Sequence, residues 1–251
     1  MLTLLSLLAC NPTTNPTTTF NANGTYAVSY GDTITGGSTY RDGTSSTSSV
    51  FTYNYFSGSI PDAGTVELVY DDVTNIVTIG TDVSITLAAN SKAGSATIEL
   101  DTTSKLSDYT GTLDLAGNDC SLTQSATINF DFDKTGKTFT GYETVKVEFD
   151  DSTSCANALL LAQISISNGG TIPSLFQQIS YIGGISWTEL SQLKYFTVQY
   201  TLTGTKETST SDTADTADTG VVLSAKASSK SASTFPDLNE IVELTTNGRQ
   251  N

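Results

Sequence analysis

The residues of this chain that could carry chemistry are acids and aromatics, because the sequence contains no histidine. That absence excludes Ser-His-Asp and Cys-His catalysis, HExxH zinc sites and His-ligated iron or copper. Phosphate loops are excluded as well, since neither GxxxxGKS/T nor GxGxxG occurs. Asp131-Phe132-Asp133-Lys134-Thr135-Gly136 has the DxDxxG opening of a calcium loop, which makes Asp131 and Asp133 the metal candidates. Calcium wants six to eight oxygens, and the twelfth position, where an EF-hand places Glu, is Tyr142. A β-hairpin turn accounts for the same Asp and Gly residues and is the preferred expectation. Asp71-Asp72 and Asp150-Asp151 are paired carboxylates at strand ends. Adjacent strand residues point to opposite faces, so neither pair alone makes the convergent carboxylates of a glycoside hydrolase.

Glu143 is the acid that breaks pattern. It shares parity with Phe139, Val145, Val147 and Phe149, so an unbroken strand aims it inward. Inside, it would need a partner or a raised pKa, and within a barrel it would mark a ligand cavity, which makes Glu143 a ligand-binding candidate. A bulge at Gly141 would instead turn it out, and this is the favoured expectation. Aromatic chemistry has more material: eleven Tyr, ten Phe and Trp187. Tyr53, Tyr55 and Trp187 are the candidates for stacking against a sugar, with core packing as the plainer use. No catalytic residue and no cofactor is assigned.

The three cysteines divide by position. Cys120 and Cys155 lie within the patterned region and are expected to form a disulfide. In the chain-entropy account, closing that loop stabilises by about 4 kcal/mol. Cys10 ends an apolar run, Leu2 to Ala9, and is followed by a polar Thr/Pro/Asn stretch to Thr19. That run is too short for a membrane span, which takes roughly 20 residues. Leu7-Leu8-Ala9-Cys10 resembles the lipobox of bacterial lipoproteins. The resemblance implies a signal peptide over 1–9, cleavage before Cys10, and acylation of Cys10. It also implies a location in the cell envelope, and Asn11 rather than Asp after the cysteine points to the outer membrane.

The elements that must position these residues read as strands. Period-two alternation puts Tyr26, Val28 and Tyr30 on one face, as it does Phe51, Tyr53 and Tyr55. It continues through Val66, Leu68 and Tyr70; Val77 and Ile79; Val83, Ile85 and Leu87; and Ala96, Ile98 and Leu100. Tyr109, Leu113 and Leu115 follow, then Ile128, Phe130 and Phe132, then Val145, Val147 and Phe149. Ile164 and Ile166 come next, and Phe196, Val198, Tyr200 and Leu202 close the pattern. The expectation is an all-β fold, an antiparallel meander of ten or more strands forming a sandwich or barrel, with little helix. Asn157 to Gln163 is either one short helix, with Asn157 as its cap, or a buried strand. Ser174 to Ile179 and Thr188 to Leu193 are further short helices.

The organisation follows: a tether over 10–19 and a β domain over 20–204. An acidic Thr/Ala/Asp segment over 205–220 lacks the apolar content to order itself. The tail over 221–251 could return as one or two strands. A formal charge of −15, from 26 acidic and 11 basic residues, argues against a nucleic-acid partner and against adhesion to anionic membranes, since both need a basic face. The leading functional expectation is a lipoprotein held at the membrane, its β domain a non-catalytic binding or structural module. A carboxylate-dependent glycoside hydrolase and a barrel for a small apolar ligand are the alternatives. A glycan or a small apolar molecule is accordingly the ligand class to test.

Overall fold

A computed structural model describes residues 19–51, 63–80, 83–101, 104–110 and 113–208. The strands are β1 (Gly24–Tyr40), β2 (Ser45–Phe51), β3 (Gly64–Asp71), β4 (Ile76–Ile79) and β5 (Val83–Thr86). β6 (Ala93–Asp101), β7 (Leu122–Phe132), β8 (Thr138–Phe149) and β9 (Leu193–Lys206) complete them. All pairings are antiparallel, in the order β5-β4-β3-β1-β9-β8-β7-β6, with β2 on the second half of β1. The chain therefore runs up and down between neighbours, and β9 returns to pair with β1. β5 and β6 share no ladder, yet the Ala88 N–H donates to the Ala93 carbonyl at 2.7 Å. The sheet is a nearly closed barrel, and the all-β class holds.

The alternating faces fall as the residues dictate. Val66, Leu68, Tyr70, Val77, Ile79, Val83 and Ile85 are all buried inside. β1, β7, β8 and β9 are longer than β3, β4 and β5, so they run on past the barrel with an apolar face still to cover. Helices cover it: α1 (Leu106–Thr110), α2 (Thr153–Ser167), α3 (Ser174–Tyr181) and the 3-10 helix Trp187–Gln192. Two clusters result. One fills the barrel around Tyr26, Phe130, Phe132 and Phe139. The other joins the far halves of the long strands to the helices, around Phe149, Phe176, Phe196 and Leu190. Tyr30 and Ile98 pack against both clusters.

Two stretches expected as strands are not. Tyr109 lies in α1, with Leu113 and Leu115 in the loop after it. Ile164 and Ile166 lie in α2, which spans 15 residues rather than the seven foreseen. Its N-cap is Ser152, whose hydroxyl accepts from the Cys155 amide at 3.0 Å, not Asn157. The run Leu159-Leu160-Leu161 hides the helical period, while the buried set Cys155, Ala158, Leu159, Ala162 and Ile166 reveals it. These reassignments leave nine strands among the described residues. β9 also continues to Lys206, past the expected domain end.

Candidate functional site: a buried carboxylate between two tyrosines

Glu143 is the only acidic residue with no solvent exposure among the described residues. The bulge expected at Gly141 does not form: β7 and β8 keep a continuous register from Leu122↔Phe149 to Phe132↔Phe139. Gly141 has a different reason to be glycine. A Cβ there would lie 1.9 Å from the Asn129 carbonyl oxygen across the ladder. With parity unbroken, the side chain of Glu143 points inward.

Register decides what meets it. Glu143 is the cross-strand partner of Tyr200 on β9 and of Ile128 on β7. Tyr200 in turn pairs with Ile34 on β1, just past an irregularity between Tyr30 and Ile34. The Tyr30 hydroxyl donates to Glu143 Oε2 at 3.2 Å. The Tyr30 and Tyr200 rings meet edge to face at 6.2 Å. The Tyr200 hydroxyl is fully buried and has no hydrogen-bond partner among the described residues. Burial, and then the nearby Glu143 carboxylate, push the Tyr200 phenol far above its ordinary value. Neither tyrosine was expected as a partner of Glu143. Both were legible as core-face residues, but only strand pairing brings them to the carboxylate.

At the barrel's other end, Tyr26 donates its hydroxyl to the Gly136 carbonyl. Burial, followed by the charge of Asp133, pushes Tyr26 up to about 12. Both phenols are thus raised in the folded state. Their contribution to stability is complete below about pH 10, the ordinary tyrosine value, and is lost as pH rises through the folded values. We expect the melting temperature to fall as pH climbs from about 10 to about 12. Tyr26→Phe should flatten that fall. An unchanged melting temperature across that interval would contradict the assignment.

Several of the other candidate acids serve turns. Asp133 sits in the β7–β8 hairpin, where its carboxylate accepts from Thr135 Oγ1 at 2.7 Å and from the Lys137 and Thr138 amides. Burial works to raise its pKa, but those hydrogen bonds outweigh it and hold the carboxyl below the usual range. Asp131 is exposed on β7 opposite Thr140. The hairpin, not the calcium loop, is what this segment builds. Asp71 accepts from the Val73 and Thr74 amides. Asp150 accepts from the Ser121 and Ser152 amides, and Asp151 pairs with Arg41 at 2.9 Å. Neither adjacent pair aims two carboxylates into a common cleft.

Cys120 and Cys155 are joined in a disulfide, and both are buried. Asp150 approaches them, forming with the two sulfurs the one Cys/Asp/Glu group of metal-binding dimensions among the described residues. The disulfide occupies both sulfurs, and Arg41 places its guanidinium 3.7 Å from Cys155 Sγ. That arrangement suits a bridge rather than an ion. Trp187 begins the 3-10 helix, half-buried against the helical cluster. Cys10, Tyr53 and Tyr55 lie outside the described residues.

An up-and-down, nearly closed barrel with a helical cover on its extended strands is the class of structure this chain defines. No protein-family model, no curated protein and no solved structure matches it.

Proposed function

We propose that this protein is a cell-envelope lipoprotein, acylated at Cys10, residing in the outer membrane, with its β domain a non-catalytic module at the membrane surface. The observation that carries the reading is the buried Cys120–Cys155 bridge. A structural disulfide suits an oxidising compartment outside the cytoplasm. It also leaves Cys10 as the one cysteine of the chain outside the bridge. Several acyl chains on Cys10 would hold the protein firmly, where one alone gives only marginal binding. Palmitate labelling in a bacterial host tests this directly. Label should enter the wild-type protein and be absent from Cys10→Ala; equal labelling of both would end the proposal.

Two observations favour a non-catalytic module over the alternatives. The barrel is filled by rings: Phe130 and Phe139 lie 4.4 Å apart, Phe132 and Phe139 5.4 Å, Tyr26 and Phe139 5.5 Å. Such packing supports a solid core over an apolar ligand chamber. Glycoside hydrolysis needs two carboxylates flanking one bond, about 5–9.5 Å apart. Glu143 instead faces tyrosines, and the paired aspartates serve turns.

A further inference from the structure

We infer that the domain stands on the bilayer on the end of its barrel opposite the helices, with the helical end directed away from an anionic lipid surface. The inference rests on the lipid-anchor reading for its setting and deepens it by naming the surface that meets the membrane.

The chain enters at the barrel end. Phe20 packs on Tyr70 and Phe132 at 4.9 and 5.8 Å, and the Asn21 amide donates to the Thr135 carbonyl at 3.1 Å. β9 finishes there too, with Lys206 Nζ 3.3 Å from the Asn21 carbonyl oxygen. From Lys206 back to Leu193, where the helical end begins, β9 spans about 40 Å at the usual rise per residue. The nine residues 11–19 reach at most about 30 Å when fully extended. The tether is shorter than that strand, so an anchored domain could turn its helices to the lipid only by drawing the tether taut along its flank. It can stand or lie on its side.

Charge selects between those two. At the barrel end Lys92, Lys134, Lys137 and Lys206 nearly balance Asp71, Asp72, Asp131, Asp133 and Glu207. Elsewhere among the described residues, Arg41, Lys105, Lys146 and Lys194 stand against twelve acids besides the buried Glu143. Asp42, Asp108, Asp119, Asp150, Asp151 and Glu189 all belong to the helical end. Screening confines each repulsion to within about 8 Å of the lipid, so the end that touches decides the energy. Of the two ends, as far as the described residues go, the barrel end sets the fewer uncompensated carboxylates against anionic headgroups. It also carries Val73, 86 % exposed at the tip of the β3–β4 turn, as an apolar contact for the interface.

The test uses the full chain with Cys10 coupled to a maleimide lipid. Orientation is then measured whether or not cells acylate Cys10, and the palmitate experiment judges the anchor separately. The vesicles contain phosphatidylcholine and phosphatidylglycerol, with nitroxide on a fraction of the choline headgroups. Trp187, the single tryptophan, reports the helical end in the unmodified protein and should keep its emission. Val73→Trp should add emission that the nitroxide quenches several-fold more strongly. Leu160→Trp, on the exposed face of α2, should stay as bright as Trp187. Quenching at 160 equal to that at 73 would mean a domain lying on its side. Strong quenching of Trp187, or none at 73, would equally overturn the inference.

Discussion

Phe139→Ala should lower unfolding stability by about 3–5 kcal/mol, the usual range for deleting a fully buried phenyl group. Phe139 is 1 % exposed and lies against the rings of Tyr26, Phe130 and Phe132. Its cross-strand partner on β9 is Gly204, and the ring lies directly over it. A Cβ at 204 would sit 2.1 Å from the Phe139 ring, so the glycine exists to receive the phenyl group. Removing the ring therefore opens a void that the backbone on one side cannot fill. Its three edge or tilted ring contacts go with it, and Tyr26, Phe130 and Phe132 would have to shift to close the gap. Urea unfolding should show a lower midpoint with an unchanged slope, since the surface exposed on unfolding hardly differs. Phe139→Leu, which keeps most of the volume, should lose much less. A loss under about 1 kcal/mol for Phe139→Ala would mean that the barrel interior is loosely filled, and would reopen the ligand-chamber alternative.

Opening the Cys120–Cys155 bridge is the second large effect. The two residues are 35 apart in sequence, for which loop closure contributes about 4 kcal/mol in the chain-entropy account. The bridge ties the segment before β7 to the first turn of α2. On the same corner, Arg41 holds the Asp150 carbonyl at 2.8 Å and the Asp151 carboxylate. Those ties are polar and partly exposed, so they cannot replace a covalent link; exposed ion pairs contribute at most about 1 kcal/mol. The double variant Cys120→Ala/Cys155→Ala should unfold at markedly lower urea than the oxidised protein. Hydrogen exchange should locate the loss. Amides of α1 and α2 should lose protection most, while β3, β4 and β8 around the aromatic cluster keep more of theirs. Equal loss across both clusters would show instead that barrel and helical cover unfold as one unit.

Much of the core was legible because strand parity is local. Phe196, Val198, Tyr200 and Leu202 face inward as their spacing requires, and so do Val145, Val147 and Phe149. The hairpin at Asp133 to Gly136 was legible for a similar reason: Asp satisfies the amides that a turn exposes, within five residues of itself. The helical cover was only partly legible. Helix α3 appears where Ser174 begins a short candidate, but α2 was cut short because three consecutive leucines give no period to read. Its length depends on packing against the sheet and the 3-10 helix, which supply the partners that helical propensity alone cannot.

Glu143 divides the two sources of information most sharply. Its parity with Val145 and Val147 was plain in the sequence, and an inward carboxylate was one consequence on offer. The sequence alone favoured a bulge, because burying an acid without known partners is costly and Gly141 stood ready to explain an escape. What reversed that preference was the pairing of β8 with β9 and of β9 with β1, which sets Tyr200 beside the carboxylate and brings the Tyr30 hydroxyl to it. By itself the sequence determined which side chains share a face, which acids end in turns, and which two cysteines lie in the patterned region. Only the tertiary structure decided who meets whom across the sheet. A residue's face follows from the geometry of its own backbone, whereas its partner follows from register, which is settled by contacts summed along whole strands.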